Sequence, residues 1–145
     1  MKVKREKYSY MMPGSGYIEW EGDEPIITLS KSAKSNVLLH EMGHAEYGHR
    51  PVEVSPRELV DREVDAELYR YKVKGKKPDW KVCSKGLVNL ASFGEAPDVI
   101  VSVVLDSLGA HGIRVTGLEE ERISDFAYGY SDLGTLFGEG EEVSA

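Results

Sequence analysis

The apolar residues of this chain change period once, at Ser35, and that change constrains the fold more than any single residue does. Before it lie three short segments, "VKREKYSYMM", "GYIEW" and "PIITLS", which alternate or are rich in β-branched and aromatic side chains. "PGSG" and "EGDEP" separate them with the glycine and proline of turns. They read as a small antiparallel sheet. From Ser35 onward apolar residues recur at helical spacing. A sheet first and a bundle of helices after it is an α+β order.

Ser35 or Asn36 is placed to cap the first helix, which has Val37, Leu38, Met42 and Ala45 as its apolar positions, and Gly48 with Pro51 ends it. The second helix has the clearest start in the chain. In "SPRE", Ser55 stands at the cap, Pro56 at the first helical position and Glu58 three residues after the cap, the spacing of a capping box. That helix should run to about Lys74, where "KGKKP" breaks it. A third is expected over Trp80 to Phe93, and a fourth after "GEAPD", ending near "GAHG". A short β-like "IRVTG" precedes a last helix in "LEEERISDFAYGY". Residues 1–137 are expected to form one domain, with a helical C-terminal part from about residue 95. The acidic tail 138–145 is expected to be disordered. Trp20 and Trp80 are expected to anchor the core.

Composition narrows the function classes. The 145 residues suit one domain, and 41% hydrophobic with 30% charged residues suits a globular chain. No apolar run approaches the ~20 residues that span a bilayer, and the basic N-terminus lacks the apolar stretch of a signal peptide. The single cysteine, Cys83, cannot form an internal disulfide, so a reducing cytoplasm is the expected setting. A net charge of -7 argues against direct binding to nucleic acid. The acids crowd the C-terminal stretch from Leu118, where Arg122 is the one base.

Three of the four histidines lie in "NVLLHEMGHAEYGH", residues 36–49. On a helix, His40 and His44 share a face with Cβ atoms roughly 5–6 Å apart. Two imidazoles so placed can take two positions on a tetrahedral zinc ion. Glu41, about 100° round from His40, is too far round to be an easy ligand, yet it can hold water at the metal and act as general base. A catalytic zinc usually takes a third protein ligand. A metzincin would need glycine at position 47 and histidine at position 50, where this chain has Tyr47 and Arg50. His49 lies about 140° round from His44 and reads as a helix-terminal histidine near the negative dipole end. A peptide deformylase would need an upstream cysteine, whereas Cys83 is downstream and reads as a core residue.

The third ligand is better sought in "SPRELVDREVDAELYRY". Val60, Val64, Leu68 and Tyr71 form its apolar stripe, with Glu63 and Glu67 on one flank and Ala66 between them. A carboxylate at the margin of a buried face is costly unless it is paired or bound to metal, and Ala66 would let the metal helix approach closely. Glu63 is therefore the favoured ligand, with Glu67 orienting an imidazole. Asp61 and Asp65, on the opposite flank, are the competing pair. For the oxyanion, His111, Tyr69, Tyr47, Tyr71, Tyr128 and Tyr130 are available donors, with His111 also read as a helix-end cap.

"LLHEMGHAEYGH" followed by "EVDAELY" resembles the ImmA/IrrE-like metallopeptidases, of gluzincin type, over roughly residues 25–75. There an HExxH helix is followed by a helix of form E-x-E-A-[DN]-x-[FY]. Laid on this chain, the ligand falls at Glu63, the second acid at Asp65, the alanine at Ala66 and the aromatic at Tyr69. Glu67 stands where Asp or Asn is usual, and a frame that makes Asp61 the ligand loses Ala66 and the aromatic. The resemblance implies a zincin-like fold and a cytoplasmic zinc endopeptidase acting on a protein or peptide, such as a helix-turn-helix repressor. The rival expectation is a metal-binding module that sequesters a protein partner without cutting it.

Overall fold

In a computed structural model describing residues 1–6 and 14–129, the chain opens with three strands, β1 (Lys2–Glu6), β2 (Gly16–Glu21) and β3 (Glu24–Ser30). Helices α1 (Ser35–Glu46) and α2 (Pro56–Val73) follow, then a 3₁₀ turn (Trp80–Cys83), α3 (Ser84–Ser92), α4 (Pro97–Ala110) and α5 (Gly117–Ala127). This is the α+β order expected from the change of period at Ser35. No helix among the described residues is long and apolar enough to cross a membrane. The tail from residue 138, Tyr130 and the part of the first segment from Lys7 to Met12 lie outside the described residues.

The strand order is β1-β3-β2, with β1 parallel and β2 antiparallel to β3. The sheet is therefore mixed, a correction to the antiparallel pairing expected throughout. The cause lies in the polarity of the strands. β3 has the most buried side chains and takes the centre, where both its edges are bonded. β1, "KVKRE", is charged and exposed and takes an edge, where charge discourages further pairing. Parallel alignment puts Arg5 opposite Leu29. Its guanidinium then donates to the carbonyls of Ser30 at 3.2 Å, Lys31 at 3.3 Å and Ala33 at 3.1 Å, just past the end of β3. The β2–β3 hairpin turns through Gly22 and Asp23, with φ +61° at Gly22. Positive φ at the first turn residue only is the pattern of a type II′ turn, which glycine adopts without strain.

The described chain divides into two compact units, Met1–Glu53 with Asp65–Lys76, and Val54–Val64 with the chain from Lys77. In the first, the sheet packs on α1. Ile27, Leu29 and Ala33 are buried, and Ile18, Val37, Leu38 and Met42 pack against them. Lys34 takes the cap position of α1 and makes no side-chain cap bond, so neither Ser35 nor Asn36 caps the helix. Trp20 is only partly buried. Its ring lies under the Arg50 guanidinium, 4.1 Å away.

In the second unit, Val60, Trp80, Val82, Leu87, Leu90, Ile100, Val104, Leu108 and Ile123 form the core. Ser55 Oγ accepts from Glu58 N at 3.2 Å at the start of α2, and the Glu58 carboxylate accepts from Arg62 Nε at 3.3 Å. The expected third helix is split. Asp79 accepts from Lys81 N and opens a 3₁₀ turn before α3. "IRVTG" forms no strand, because Thr116 is occupied as the cap of α5, where Thr116 and Glu119 make a full capping box.

Cys83 is fully buried, and that burial pushes its thiol up to about 12. Only the thiolate attacks thiol reagents. The folded protein is expected to leave Cys83 unlabelled by a maleimide near about pH 8, and the denatured protein to take up one label. Native labelling at the rate of a free thiol would contradict this packing.

Candidate metal centre

The site is built on α1 and α2. Gly43 of α1 lies against Ala66 of α2. A Cβ at Gly43 would stand 2.7 Å from both the Cα and the carbonyl oxygen of Ala66. Only a glycine facing a small residue permits this approach, and it buries His40, Glu41 and His44 along with Gly43. The buried stripe of α2 runs through Val60, Val64, Glu67 and Tyr71 with Ala66 beside it, while Leu68 is half-buried. Val60, Val64 and Tyr71 hold their expected places in the stripe, and Glu67 takes the place expected of Leu68.

Glu67 holds that place because its oxygens are bonded. Oε2 accepts from His40 Nδ1 at 2.9 Å and from Arg70 Nε at 2.9 Å, and Oε1 accepts from Arg70 Nη2 at 3.1 Å. Burial alone would raise its carboxyl, but the hydrogen bonds from His40 and Arg70, with their charges, bring it down to about 2. Glu67 is therefore an ionised acceptor, and the proton on the His40 ring belongs on Nδ1. The lone pair of a neutral His40 is then on Nε2.

His40 Nε2 lies 3.1 Å from His44 Nε2. The rings meet edge to face, with centroids 4.8 Å apart. α2 is one unbroken helix, and Glu63 stands one turn before Glu67 on the same side. The crossing that seats Glu67 on His40 thereby sets the carboxylate of Glu63. Ligand atoms of His40, His44 and Glu63 all lie within 4.8 Å of one another, a group that could hold a metal ion. Two imidazole nitrogens converging on a carboxylate suit a bound cation, which all three lone pairs can face at once.

The other candidates stand elsewhere. Asp61 accepts from Arg57 Nε at 3.1 Å and from Ser107 Oγ, so its carboxylate is engaged within the second unit. Asp65 Oδ2 lies 3.5 Å from His49 Nε2. His111 caps the end of α4 and donates from Nδ1 to the Ser107 carbonyl at 2.7 Å, with Asp61 Oδ1 3.9 Å away. Tyr69 is half-buried on α2, two positions past Glu67. Tyr71 is buried beneath the cations of Arg70 and Lys76, Tyr47 is exposed and stacks on His49, and Tyr128 is exposed. Cys83 is a core residue. One contact went unanticipated, the ring of His49 on His44. An arginine three residues after a glutamate on a helix is a visible signal for the pairing of Arg70 with Glu67.

Comparison with protein-family models, with curated proteins and with solved structures gives no match for this chain.

Gly43→Ala is expected to destabilise the protein by about 1–3 kcal/mol, the range for overpacking. The clash is with backbone, which cannot rotate away, and so it outweighs the gain of up to ~1 kcal/mol in helix propensity. Urea unfolding of both proteins measures the difference, and equal stability would show that the helices are not in this contact.

Proposed function

We propose that this chain is a zinc-dependent endopeptidase in which His40, His44 and Glu63 hold the metal and Glu41 is the general base. The observation that carries the reading is the convergence of those three ligands beside an adjacent buried glutamate. Two nitrogens and one carboxylate oxygen form a donor set that zinc accepts, leaving a position for water. The 3.1 Å between the two Nε2 atoms is near the about 3.3 Å edge of a zinc tetrahedron with ~2.0–2.1 Å bonds. The resemblance of "LLHEMGHAEYGH" and "EVDAELY" to ImmA/IrrE-like metallopeptidases supports the same assignment and a zincin-like fold.

Zinc bound there supplies a Lewis acid that makes water a competent nucleophile near neutral pH. The chain's residues do the rest. Glu67 and Arg70 fix the ring of His40, keeping Nε2 free of the proton. Glu41, one residue on from His40 and buried, takes a proton from water as its oxygen bonds to the peptide carbonyl carbon. The same carboxyl returns that proton to the amide nitrogen as the C–N bond breaks. The substrate class is a protein or peptide, and a helix-turn-helix repressor is the candidate that the resemblance nominates.

Glu41→Gln is expected to retain one equivalent of zinc and to lose cleavage by at least about 10²-fold, the scale of general base catalysis. His44→Ala and Glu63→Gln are expected to lose stoichiometric zinc. Elemental analysis measures the metal, and chelator-sensitive fragmentation of an unfolded protein or candidate repressor measures the activity. Wild-type protein without zinc after loading would overturn the metal assignment. Full activity in Glu41→Gln would overturn the role of Glu41.

A further inference from the structure

His49 follows the end of α1, yet its ring is drawn back onto the site. His44 presents Nε2 to His40 Nε2, and its other nitrogen, Nδ1, lies 2.9 Å from His49 Nδ1. His49 Nε2 in turn lies 3.5 Å from Asp65 Oδ2. The backbone of His49 is held at both ends. Its N–H donates to the His44 carbonyl at 3.0 Å, and its own carbonyl accepts from Trp20 Nε1 at 3.1 Å. The Tyr47 ring stacks on His49 at 5.9 Å with an interplanar angle of 19°. The side chain is 11% exposed. This ring is not a loose terminal residue.

We propose that His49, aligned by Asp65, is a positioning residue for His44, holding that ring with its Nε2 toward the metal. The inference rests on the metal reading above. For His44 to offer a lone pair at Nε2, its Nδ1 must carry the proton. That proton then donates to His49 Nδ1, which leaves the proton of a neutral His49 on Nε2, facing the Asp65 carboxylate. Reversing the direction would put a lone pair of His49 against a carboxylate and a proton of His44 where the ion belongs. The chain Asp65–His49–His44 thus runs in one sense when metal is bound. It does for His44 what Glu67 does directly for His40. It also excludes His49 as a ligand through Nδ1, which faces the side of His44 away from His40.

The test is the zinc dissociation constant of the full chain, read by competition with a chromophoric chelator, with thermal unfolding in the absence of metal as a control for folding. His49→Phe keeps a ring of similar shape without the acceptor and is expected to weaken zinc by about 10–100-fold. His49→Asn restores an acceptor near the position of Nδ1 and is expected to recover part of that loss. Asp65→Asn is expected to weaken binding less than His49→Phe. Wild-type affinity in His49→Phe overturns the proposal and leaves the metal reading standing. So does a His49→Asn protein as weak as His49→Phe, since a merely structural role predicts no rescue by an acceptor. If His49→Phe does not fold, Asp65→Asn decides, and wild-type affinity there is equally fatal. A wild-type protein that binds no zinc overturns both readings.

Discussion

The contact of Gly43 with Ala66 is the constraint from which the rest of the site follows. Helix axes usually pass 8–10 Å apart, a distance set by the side chains between them. With no side chain at Gly43 and a methyl group at Ala66, α1 rests directly on the backbone of α2. That is what brings side chains on either side of the crossing within bonding distance. His40 reaches Glu67 at 2.9 Å, and the carboxylate of Glu63, one turn earlier on the same helix, joins the imidazoles. The glycine inside HEMGH is therefore a requirement of packing, while the histidines on either side of it form, with Glu63, a group that could hold a metal ion.

A close crossing also creates an electrostatic problem, since it buries polar groups. His40, Glu41, His44 and Glu67 are all buried. A buried carboxylate left alone is strongly unfavourable, and breaking a buried pair exposes that cost in full. Arg70 answers it with two hydrogen bonds to Glu67, placed three residues on along the same helix. The guanidinium also lies over Tyr71, its carbon 4.8 Å from the ring centre. One cation thus neutralises the carboxylate and covers the aromatic beside it. Glu67 in the ionised state is what makes His40 a donor at Nδ1, so the arginine acts on the imidazole at one remove.

How much of this was legible depended on whether the relevant partners were local. The elements followed from period and caps, because those signals lie within a turn or two of the residues they govern. Glu63 was legible as a carboxylate at the margin of a stripe with Ala66 beside it. The parallel pairing of β1 was not, since it is favoured by Arg5 reaching carbonyls some 25 residues away. Glu67 was placed on the flank because its core position depends on His40, 27 residues back. The capping box at Thr116 and Glu119 was written in the sequence and was outweighed by the β-branched residues before it.

His49 shows where helical geometry stops being a guide. Counting 100° per residue puts it about 140° from His44, well off the face that His40 and His44 share. That count assumes the helix continues, and α1 ends at Glu46. Gly48, with φ of +65°, turns the chain back, so that the N–H of His49 meets the carbonyl of His44. The turn that ends the helix is what returns a second imidazole to the first. It places that imidazole behind His44, on the side its Nδ1 faces, rather than beside its Nε2. The end of α1 is in this sense part of the site. A longer helix would have carried residue 49 away from His44, and a looser ending would have left its ring free to turn. Trp20, which accommodates the carbonyl of His49 from the sheet side, ties that ending to the β2–β3 hairpin. The hairpin thereby holds the backbone of the residue whose ring lies against His44.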